Sequence, residues 1–453
     1  GGAGTLADLS LANDITTLGS FSVPGGTLNL VDSGAPALSV TGPVNARNVT
    51  LSGAGALALA GSVTATGILA LGAVSGGVSE TPGIAVSAGT LASVGTIAGT
   101  ATLVSGANAI GTLENFAVSG DLSLENGAAL ALAGSIGVPG TLALATTAGG
   151  IMQDGAAAIR AAALTSLGMT TTGDVTLAGS ANSIATLGAF TVAGTGALAL
   201  ADGAALLTIT GPVSAGSVTI GGGAVPTALA IDGDVTAPTL DLAAGSGGMS
   251  EAAGVVLNAG TLMSSGGAGG TVALTSTGNT ITTLGGFAVT GGDFTLADTG
   301  TLAIAGPLSA ANIVIGGGGL GLPDAIGASG SISAGNLLAL SAGASGITLA
   351  SGAALSGATV DLSNTGGGIG ESAGAKIAAT TPQSSGGANG AVDLAGAANS
   401  IAGLGIFTVT GGDFTLEDTA ALAVTGPLTA TNVSIGAAHA PPTLTVGGSI
   451  GAT

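Results

Sequence analysis

The sequence predicts an all-β protein, specifically a parallel β-helix, also called a β-solenoid. Three observations predict this fold. Apolar residues recur two positions apart in short runs, glycine-rich turn sequences separate the runs, and one degenerate motif returns along the whole chain. A long stack of short strands fits all three observations, because each turn of such a stack contacts only its neighbours.

The local pattern has the period of a β-strand with one buried face. In the stretch that begins at Asn279, apolar residues stand in pairs two positions apart: Phe287 and Val289, Phe294 and Leu296, Leu302 and Ile304, Ile313 and Ile315. The segments between these pairs read "TGG", "ADTG", "AGP" and "GGGG", which are turn sequences. We therefore expect strands of about four to six residues, tight turns and no helix.

The degenerate motif occurs in five copies, which begin at Asn13, Asn108, Asn182, Asn279 and Asn399. In each copy a Phe follows the Asn by eight positions, and four copies close on Gly-Pro. The starts are 95, 74, 97 and 120 residues apart, close to whole multiples of a unit of about 24 residues, the order of one solenoid turn. We therefore expect the super-repeats to differ in length by whole turns.

A second marker keeps the same register. An acidic residue that closes a "GGVSE", "GGIMQD", "GGMSE" or "GGIGE" phrase precedes the next Asn by 28 positions, and these residues are Glu80, Asp154, Glu251 and Glu371. We predict one continuous solenoid over residues 1–453. We expect it to be right-handed, with roughly 19 turns of about 24 residues. At about 4.8 Å per turn, the predicted rod is about 90 Å long.

Seven phenylalanines stand in a chain that has no Trp and no Tyr. We predict that they fill the interior where a turn is wide, while Gly and Ala fill the narrow turns. This predicted structural core consists of Phe21, Phe116, Phe190, Phe287, Phe294, Phe407 and Phe414.

A polar residue recurs in a turn-like sequence in every copy. These predicted turn residues are Asp32, Asn126, Asp202, Asp298 and Asp418. Asp and Asn suit turns because their side chains bond to nearby backbone and tolerate left-handed conformations. A calcium site, which would need several converging oxygen ligands, is the alternative for the acidic residues. We interpret the Asn at the head of each copy as a turn residue as well.

Composition excludes several classes of protein. Hydrophobic residues make up 46% of the chain, too many for a disordered segment. Charged residues make up only 6%, and the formal net charge is -20. Three basic residues cannot neutralise a nucleic-acid backbone, so we expect no nucleic-acid partner. No apolar run approaches the ~18 residues of a membrane-spanning helix.

The phrases "GGMSEAAG", "TLMSSGGAGGTVALTSTGNTITTLGGFAVTGG" and "TLAIAGPLSAANIVIGG" resemble the β-helical repeats of filamentous-haemagglutinin-like exoproteins. The resemblance covers essentially the whole chain. It implies secretion through an outer-membrane partner by the two-partner route, a location outside the cell or on its surface, and a role in adhesion, biofilm matrix or surface fibres. The Asn-Pro signatures of the family's N-terminal secretion domain are not visible in this sequence.

The sequence offers no constellation for chemistry. His439 is the only His, and it has no Cys or basic residue nearby with which to build a nucleophile or a transition-metal site. Polysaccharide lyases and hydrolases need clustered carboxylates, whereas the carboxylates here are spread along the chain, one to three to a copy. We therefore predict no catalytic residue, no cofactor and no metal site, and we expect a protein that is not an enzyme.

The strand positions that should face water carry Ala, Thr, Gly and Val in place of Lys and Glu. Such faces differ from ordinary soluble surfaces and suit packing against another rod, a cell surface or a polysaccharide. We expect a structural fibre or adhesin segment that forms homo-oligomers or filaments. The alternative is a flat-surface binder of ice or polysaccharide, which would need Thr-x-Thr on one face in turn after turn. The "TAT" sequences at Thr64 and Thr100 are isolated.

The terminal sequences bear on assembly. A β-helix leaves backbone donors and acceptors unpaired on its first and last turns unless a cap covers them. Neither "GGAGTLADLSLAND" nor "TLTVGGSIGAT" contains an amphipathic helix or a charged cap. The expectation is therefore either a piece of a longer solenoid or a subunit that docks end to end with its own copies.

Overall fold

The computed structural model of the protein describes residues 4–34 and 36–453. Within these residues the secondary structure is β with no helix, and parallel stacked strands form about 20 turns of β-solenoid. The predicted fold class is confirmed. The chain divides into two compact units, Gly1–Pro226 and Thr227–Thr453. The single continuous solenoid over residues 1–453 and its right-handed sense stay predictions.

Unit 1 contains 24 strands in its described residues, most of them short because turn sequences interrupt the chain often. They are β1 (Leu6–Leu9), β2 (Thr17–Leu18), β3 (Phe21–Val31), β4 (Ala37–Val40), β5 (Val44–Gly53), β6 (Ala56–Leu59), β7 (Val63–Ala73), β8 (Val78–Glu80), β9 (Val86–Ser93), β10 (Thr96–Ile97), β11 (Ala101–Val104), β12 (Ala109–Val118), β13 (Leu122–Asn126), β14 (Leu130–Thr146), β15 (Ile151–Gln153), β16 (Ala158–Thr165), β17 (Thr170–Thr171), β18 (Val175–Leu177), β19 (Ser183–Leu187), β20 (Phe190–Val192), β21 (Ala197–Leu200), β22 (Leu206–Ile209), β23 (Val213–Ser214) and β24 (Ser217–Ile220).

Unit 2 has the same character and contains 27 strands. They are β25 (Ala228–Ile231), β26 (Val235–Leu242), β27 (Gly248–Glu251), β28 (Leu257–Ala268), β29 (Val272–Leu274), β30 (Thr280–Val289), β31 (Phe294–Leu296), β32 (Thr301–Ile304), β33 (Leu308–Ala310), β34 (Ile313–Ile315), β35 (Ala325–Ala328), β36 (Ser331–Ala334), β37 (Leu337–Ala342), β38 (Gly346–Leu349), β39 (Ala354–Asn364), β40 (Ile369–Glu371), β41 (Lys376–Asn389), β42 (Val392–Leu394), β43 (Ser400–Ile401), β44 (Gly403–Leu404), β45 (Phe407–Thr410), β46 (Phe414–Leu416), β47 (Leu422–Val424), β48 (Leu428–Ala430), β49 (Val433–Ile435), β50 (Leu444–Val446) and β51 (Ile450–Ala452).

Paired residues come from successive turns and run parallel. The offset between partners ranges from 19 residues, between Val44 and Val63, to 25 residues, between Ile313 and Leu338. The 453 residues therefore make about 20 turns, each slightly shorter on average than the predicted unit of 24. Because the side chains alternate along each strand, inner apolar residues stack on inner apolar residues of the next turn.

In unit 1 two sides of the solenoid continue from turn to turn. Side 1 consists of β2, β4, β6, β8, β11 and β13, followed by the last parts of β14, β16 and β19 and by β22. Side 2 begins with β1 and the later parts of β3, β5, β7 and β9. It continues through β12, β14, β15, β18, β21 and β24.

The third side of unit 1 changes its position twice. In each of the first turns the third side comes directly after side 1 along the chain, in segments that begin at Phe21, Val44, Val63, Val86 and Ala109. It then follows side 2, in segments that begin at Thr96, Phe116, Ser135, Ala158 and Ser183. It finally follows side 1 again, in segments that begin at Thr170, Phe190 and Val213. We call each relocation a side change.

Unit 2 is built in the same way. Its side 1 consists of β25, β27, β29, β31, β34 and β37, then parts of β39 and β41, then β44, β47 and β50. Its side 2 runs from parts of β26, β28 and β30 through β32, β35, β38, β40, β42, β46 and β49.

The third side of unit 2 also changes position twice. It follows side 1 from Val235 to Ile281, follows side 2 from Ser264 to Ile401, and follows side 1 again from Ser384 onward. The old and new third sides overlap for a turn or two at each side change, which widens those turns.

Side changes explain the super-repeat. In the last four copies the Phe lies on the second strand of the new third side, and the Asn of the same copy stands at the last strand of the old one, as Phe407 and Asn399 do. The backbone N–H of Phe407 donates to the carbonyl of Pro427 over 2.9 Å, so the Gly-Pro begins the next turn of the new side. The copies are therefore not spaced by whole turns, because each side change moves the motif to the opposite part of a turn.

Six of the seven phenylalanines are buried, at 0–1% exposure: Phe116, Phe190, Phe287, Phe294, Phe407 and Phe414. The prediction fails for Phe21, which is only half-buried, because few strands lie before it in the described chain. In unit 2 the rings pair: the centroids of Phe287 and Phe294 are 5.1 Å apart, as are those of Phe407 and Phe414. Such tilted pairs are favourable beyond the area they bury.

Double glycines form sharp corners before side 1 or side 2. Gly149 and Gly150 have φ angles of 82° and 77°, which non-Gly residues rarely adopt. A methyl group on Gly150 would also collide with the carbonyl oxygen of Asp174 in the next turn. The "GG" of each marker phrase is therefore required by the backbone at this corner.

Candidate functional site

Four clusters of polar side chains lie inside the solenoid where a third side ends. We call them polar stacks, and each contains three residues from successive turns: Glu80–Asn108–Asn126 and Gln153–Asn182–Asp202 in unit 1, and Glu251–Asn279–Asp298 and Glu371–Asn399–Asp418 in unit 2. All are buried except Glu251, which is half-buried. Buried polar groups need hydrogen-bond partners, so these stacks must be nearly self-sufficient.

The head Asn is the centre of each stack. The Oδ1 atom of Asn399 accepts from the N–H of Ile377 at 2.7 Å, and its Nδ2 donates to Glu371 Oε2 at 2.8 Å and to the Glu417 carbonyl at 3.2 Å. Asn108, Asn182 and Asn279 bind the turn before and the turn after in the same way. The Asn was predicted to be a turn residue; the structure places it in the interior, joining three turns.

The predicted turn residues are also interior caps. The Oδ1 atom of Asp298 accepts from the N–H of Ile281 at 2.7 Å, and Asp418 does the same for Ile401 at 3.0 Å. Asp32, Asn126 and Asp202 cap Ile15, Ile110 and Ile184. The last strand of a third side has no following strand, so a side-chain oxygen replaces the missing carbonyl.

The local part of the turn prediction is only half right. Asp202 and Asp298 also accept from the backbone two residues ahead, at 3.1 Å each. None of the five residues, however, has the left-handed conformation that was expected, since Asn115 and Leu167 are the non-Gly residues with positive φ in the described chain. Their burial, at 0–2% exposure, reflects the bond to an earlier turn.

The 28-residue spacing of the marker does not identify the stack residue in one copy. Asp154 is exposed and its carboxylate accepts from the N–H of Ala156, whereas the residue that binds Asn182 is Gln153. The sequence carried the necessary signal. Gln153 is the third residue after Gly-Gly, as Glu80, Glu251 and Glu371 are, and counting from the glycines finds it.

Burial raises the pKa of the stack carboxyls. Desolvation raises the pKa of Glu80 to about 7, against the lowering effect of its bond from Asn108, and nearby Glu125 raises it further. Desolvation likewise raises the pKa values of Glu251 and Glu371. It also raises the pKa values of Asp202, Asp298 and Asp418, although each accepts backbone hydrogen bonds that lower them. These acids are therefore weaker than exposed ones.

The first copy differs from the others. Asn13 is half-buried, and its Nδ2 donates to the carbonyl of Val31 at 3.2 Å and to that of Leu11 at 2.7 Å. Asp32 caps Ile15 at 2.9 Å, as in the other copies.

The outer faces consist of rows of small side chains in register. On side 1 of unit 1 the row runs Ser39, Ala58, Ser79, Thr102, Ser123. On side 1 of unit 2 it runs Ala230, Ser250, Ala273, Thr295, Val314, Ala339. None of the residues in these two stretches is charged, and Asp361 follows Ala339 as the next residue in the register of the second. Over these stretches the rows are flat and lack the charges that normally keep soluble surfaces apart.

A column of threonines lies on side 2 of unit 2. Thr239, Thr261 and Thr283 are in register on three successive turns, and all are partly exposed. Two positions further along, the outward residues on the first two turns are Asp241 and Met263. The column is therefore one threonine wide and does not form the Thr-x-Thr array of an ice-binding face.

His439 lies in an exposed turn, where its backbone N–H donates to a Glu417 carboxylate oxygen. Among residues 4–34 and 36–453, no group of three or more His, Cys, Asp or Glu side chains is placed to hold a metal ion. The part of the chain that the structure describes has no helix of the length and apolarity needed to cross a membrane.

One concave space on the surface, of about 520 Å³, is lined by small residues of unit 2, among them Gly357, Ala379, Thr380, Ser400 and Ala421. It contains no titratable side chain, so it offers hydrogen bonds from hydroxyls and backbone only. No family model, no curated protein and no solved structure matches this chain.

Proposed function

We propose that this chain is a non-enzymatic structural segment of an extracellular fibre or adhesin, located at a bacterial cell surface or in a biofilm matrix. The observation that carries the proposal is the pair of uncharged outer rows on side 1 of the two units. A surface that repeats every ~4.8 Å and carries no charge suits repetitive packing against an equally regular partner.

The polar stacks support a structural role. Their polar atoms are directed at backbone groups of neighbouring turns, and their burial keeps them from any external substrate. The polar stacks satisfy the backbone groups at the end of the old third side, so that a new third side can form elsewhere in the turn. The resemblance to filamentous-haemagglutinin-like repeats adds the expectation of an outer-membrane secretion partner.

The proposed partner is a second copy of the chain, with other cell surfaces or polysaccharide as further partners. Electron microscopy of the purified chain at micromolar concentration tests this. We expect filaments or lateral bundles whose size increases with protein concentration. Particles of one uniform size at every concentration would contradict self-association.

A pair of variants tests the uncharged row directly. Ala58→Lys together with Thr102→Lys places two charges on the side 1 row of unit 1, where both residues are partly exposed. Ala156→Lys places a charge in an exposed turn away from the rows and serves as the control. We expect the row variant to lose bundles and the control to keep them. Equal bundling by both would remove the row from the interface.

The second candidate function is a flat-surface binder of ice or polysaccharide. The threonine column of unit 2 is the observation that favours it. Thr261→Val, which keeps the shape and removes the hydroxyl, should then reduce retention on ice or insoluble polysaccharide. Unchanged retention in this variant, together with bundling of the wild type, favours the fibre.

A further inference from the structure

The Gln153 stack shows what the first position of a polar stack requires. The Oε1 atom of Gln153 accepts from Asn182 Nδ2 at 2.8 Å and from the N–H of Gly179 at 3.1 Å. Its Nε2 atom donates to Asn182 Oδ1 at 2.7 Å and to the carbonyl of Ala157 at 3.1 Å. The site therefore calls for an acceptor on one arm of the side chain and a donor on the other.

Glu371 occupies the equivalent position without a donor. Its Oε2 atom accepts from Asn399 Nδ2 at 2.8 Å and from the N–H of Gly396 at 2.9 Å, as Gln153 Oε1 does in its stack. Its Oε1 atom is buried and has no partner. A methyl group on Gly396 would collide with both this Oε1 and the carbonyl oxygen of Ala375, so the two oxygens face one small space.

If Glu371 were ionised, its Oε1 atom would place negative charge against the carbonyl oxygen of Ala375 in a buried site. A methyl group on Gly179 would likewise collide with Gln153 Nε2 and the carbonyl oxygen of Ala157. The donor Nε2 of Gln153 and the unpaired Oε1 of Glu371 therefore occupy equivalent positions in their stacks. A proton on Oε1 would turn the clash into a hydrogen bond. Oε1 of Glu80 and Oε1 of Glu251 are also buried without a partner.

We propose that Glu371 carries a proton on Oε1 and works, with Glu80 and Glu251, as a pH-sensitive lock. Protonated Glu371 donates from Oε1 to the carbonyl of Ala375 and holds the end of the third side in place. Ionisation removes that donor and sets two acceptors against each other. The side change then loosens, while turns far from the stack stay folded because each turn depends on its neighbours.

The charged groups around the acids act in the same direction as burial. Desolvation is the main cause that raises the pKa of Glu371, and Asp393 on the paired strand β42 raises it further. Of the other strands packed against β40, β38 carries no charge, Lys376 on β41 is exposed, and Asp361 on β39 is bonded to Gln383. Glu125 has the corresponding effect on Glu80.

The sign of the pH dependence follows from linkage. The folded state binds a proton that the unfolded state releases, so stability is fully present below the unfolded pKa and is lost as pH rises through the folded pKa. For Glu80 this window extends from 4.5 to about 7. Across it, the equilibrium constant for opening that stack should rise by about 300-fold. Asp202, Asp298 and Asp418 contribute in the same direction, so variants must isolate each glutamate.

Exchanging the two side chains between stacks tests the proposal on the full chain. Glu371→Gln supplies the missing donor, so hydrogen exchange at the backbone N–H groups of residues 396–401 should depend much less on pH between about 5 and about 8, after correction for intrinsic rates. The dependence that remains should come from Asp418. Gln153→Glu should add to the pH dependence that Asp202 gives the stack of Asn182. Asp154→Asn, which removes the exposed carboxylate next door, is the matched control and should change nothing.

Infrared spectroscopy gives a readout that does not depend on any variant folding. Wild-type protein at about pH 6 should show the stretching band of protonated carboxyl groups, above the pH at which exposed acids ionise. Glu371→Gln should weaken that band. The proposal is overturned if the band is absent, or if Glu371→Gln opens the stack equally at every pH.

Discussion

The side change around Phe190 in unit 1 and the one around Phe407 in unit 2 solve one packing problem with different side chains. In unit 1 the buried residue on the next side is Leu198, and the stack begins with Gln153. In unit 2 the corresponding residues are Phe414, whose ring contacts Phe407, and Glu371. The backbone solution is the same, with a Phe on the second strand of the new third side while a buried Asn stands at the end of the old one.

The difference teaches what each position demands. The widened turn requires volume, which a second aromatic ring or a leucine supplies. The stack instead requires a particular pattern of donors and acceptors, which an amide meets in full and an acid meets only when protonated. Apolar positions therefore tolerate exchange between copies, whereas polar positions determine how a copy responds to its surroundings.

The largest effect is expected from emptying the widened turn. Phe407→Ala should destabilise the surrounding turns by about 3 to 5 kcal/mol, because strands on all sides prevent collapse around the cavity. Phe414→Leu, which copies the unit 1 arrangement, should cost less than about 1.5 kcal/mol. Hydrogen exchange across residues 384–430 measures both losses locally. Equal losses in the two variants would show that ring pairing, and not volume, sustains the turn.

A smaller but still large effect is expected from removing the centre of a stack. Asn399→Ala leaves the N–H of Ile377 without its acceptor, removes one of the two hydrogen bonds to Glu371 Oε2 and should cost about 2 to 4 kcal/mol. Asn389→Ala removes an exposed Asn whose amide donates to the Thr365 carbonyl, and it should cost about 0.5 kcal/mol. Denaturant unfolding followed by circular dichroism compares them. Similar midpoints for the two variants would contradict the interior role of Asn399.

The smallest effect should come from the neighbours Gln153 and Asp154. Asp154→Ala should change stability by no more than about 0.5 kcal/mol, because this carboxylate is exposed. Gln153→Ala should cost about 2 kcal/mol, because it removes two hydrogen bonds to Asn182 and the bonds to the carbonyl of Ala157 and the N–H of Gly179. The thermal midpoints of the two variants measure the difference. A larger loss of stability for Asp154→Ala than for Gln153→Ala would show that Asp154, and not Gln153, stabilises this stack.

The fold class could be predicted because period-two alternation and turn sequences act locally. Phe287 and Val289, two positions apart, predict a strand within three residues, and the same pattern recurs at Phe407 and Val409. Burial of six phenylalanines followed from size alone. Phe21 departed from the set because burial also depends on the number of turns packed around a residue.

The side changes could not be predicted, because they depend on which strands become neighbours in space. Turns that vary from 19 to 25 residues allowed the spacing of the copies to resemble whole turns of 24. The caps were misread for a related reason. An Asp that replaces a missing carbonyl of another turn, as Asp298 does for Ile281, looks in sequence like an Asp that forms a turn.

The third side alternates between two positions from one copy of the super-repeat to the next. The roles of the later strands therefore depend on whether the number of preceding copies is odd or even. If one copy were deleted, for example the segment between Asn108 and Asn182, each following strand of the unit would take up the opposite role, so that side 1 and side 2 exchange. Removing two successive copies would restore the original roles. A gain or loss of one repeat therefore rotates every later outer face by about half a turn, and a gain or loss of two leaves those faces where they were.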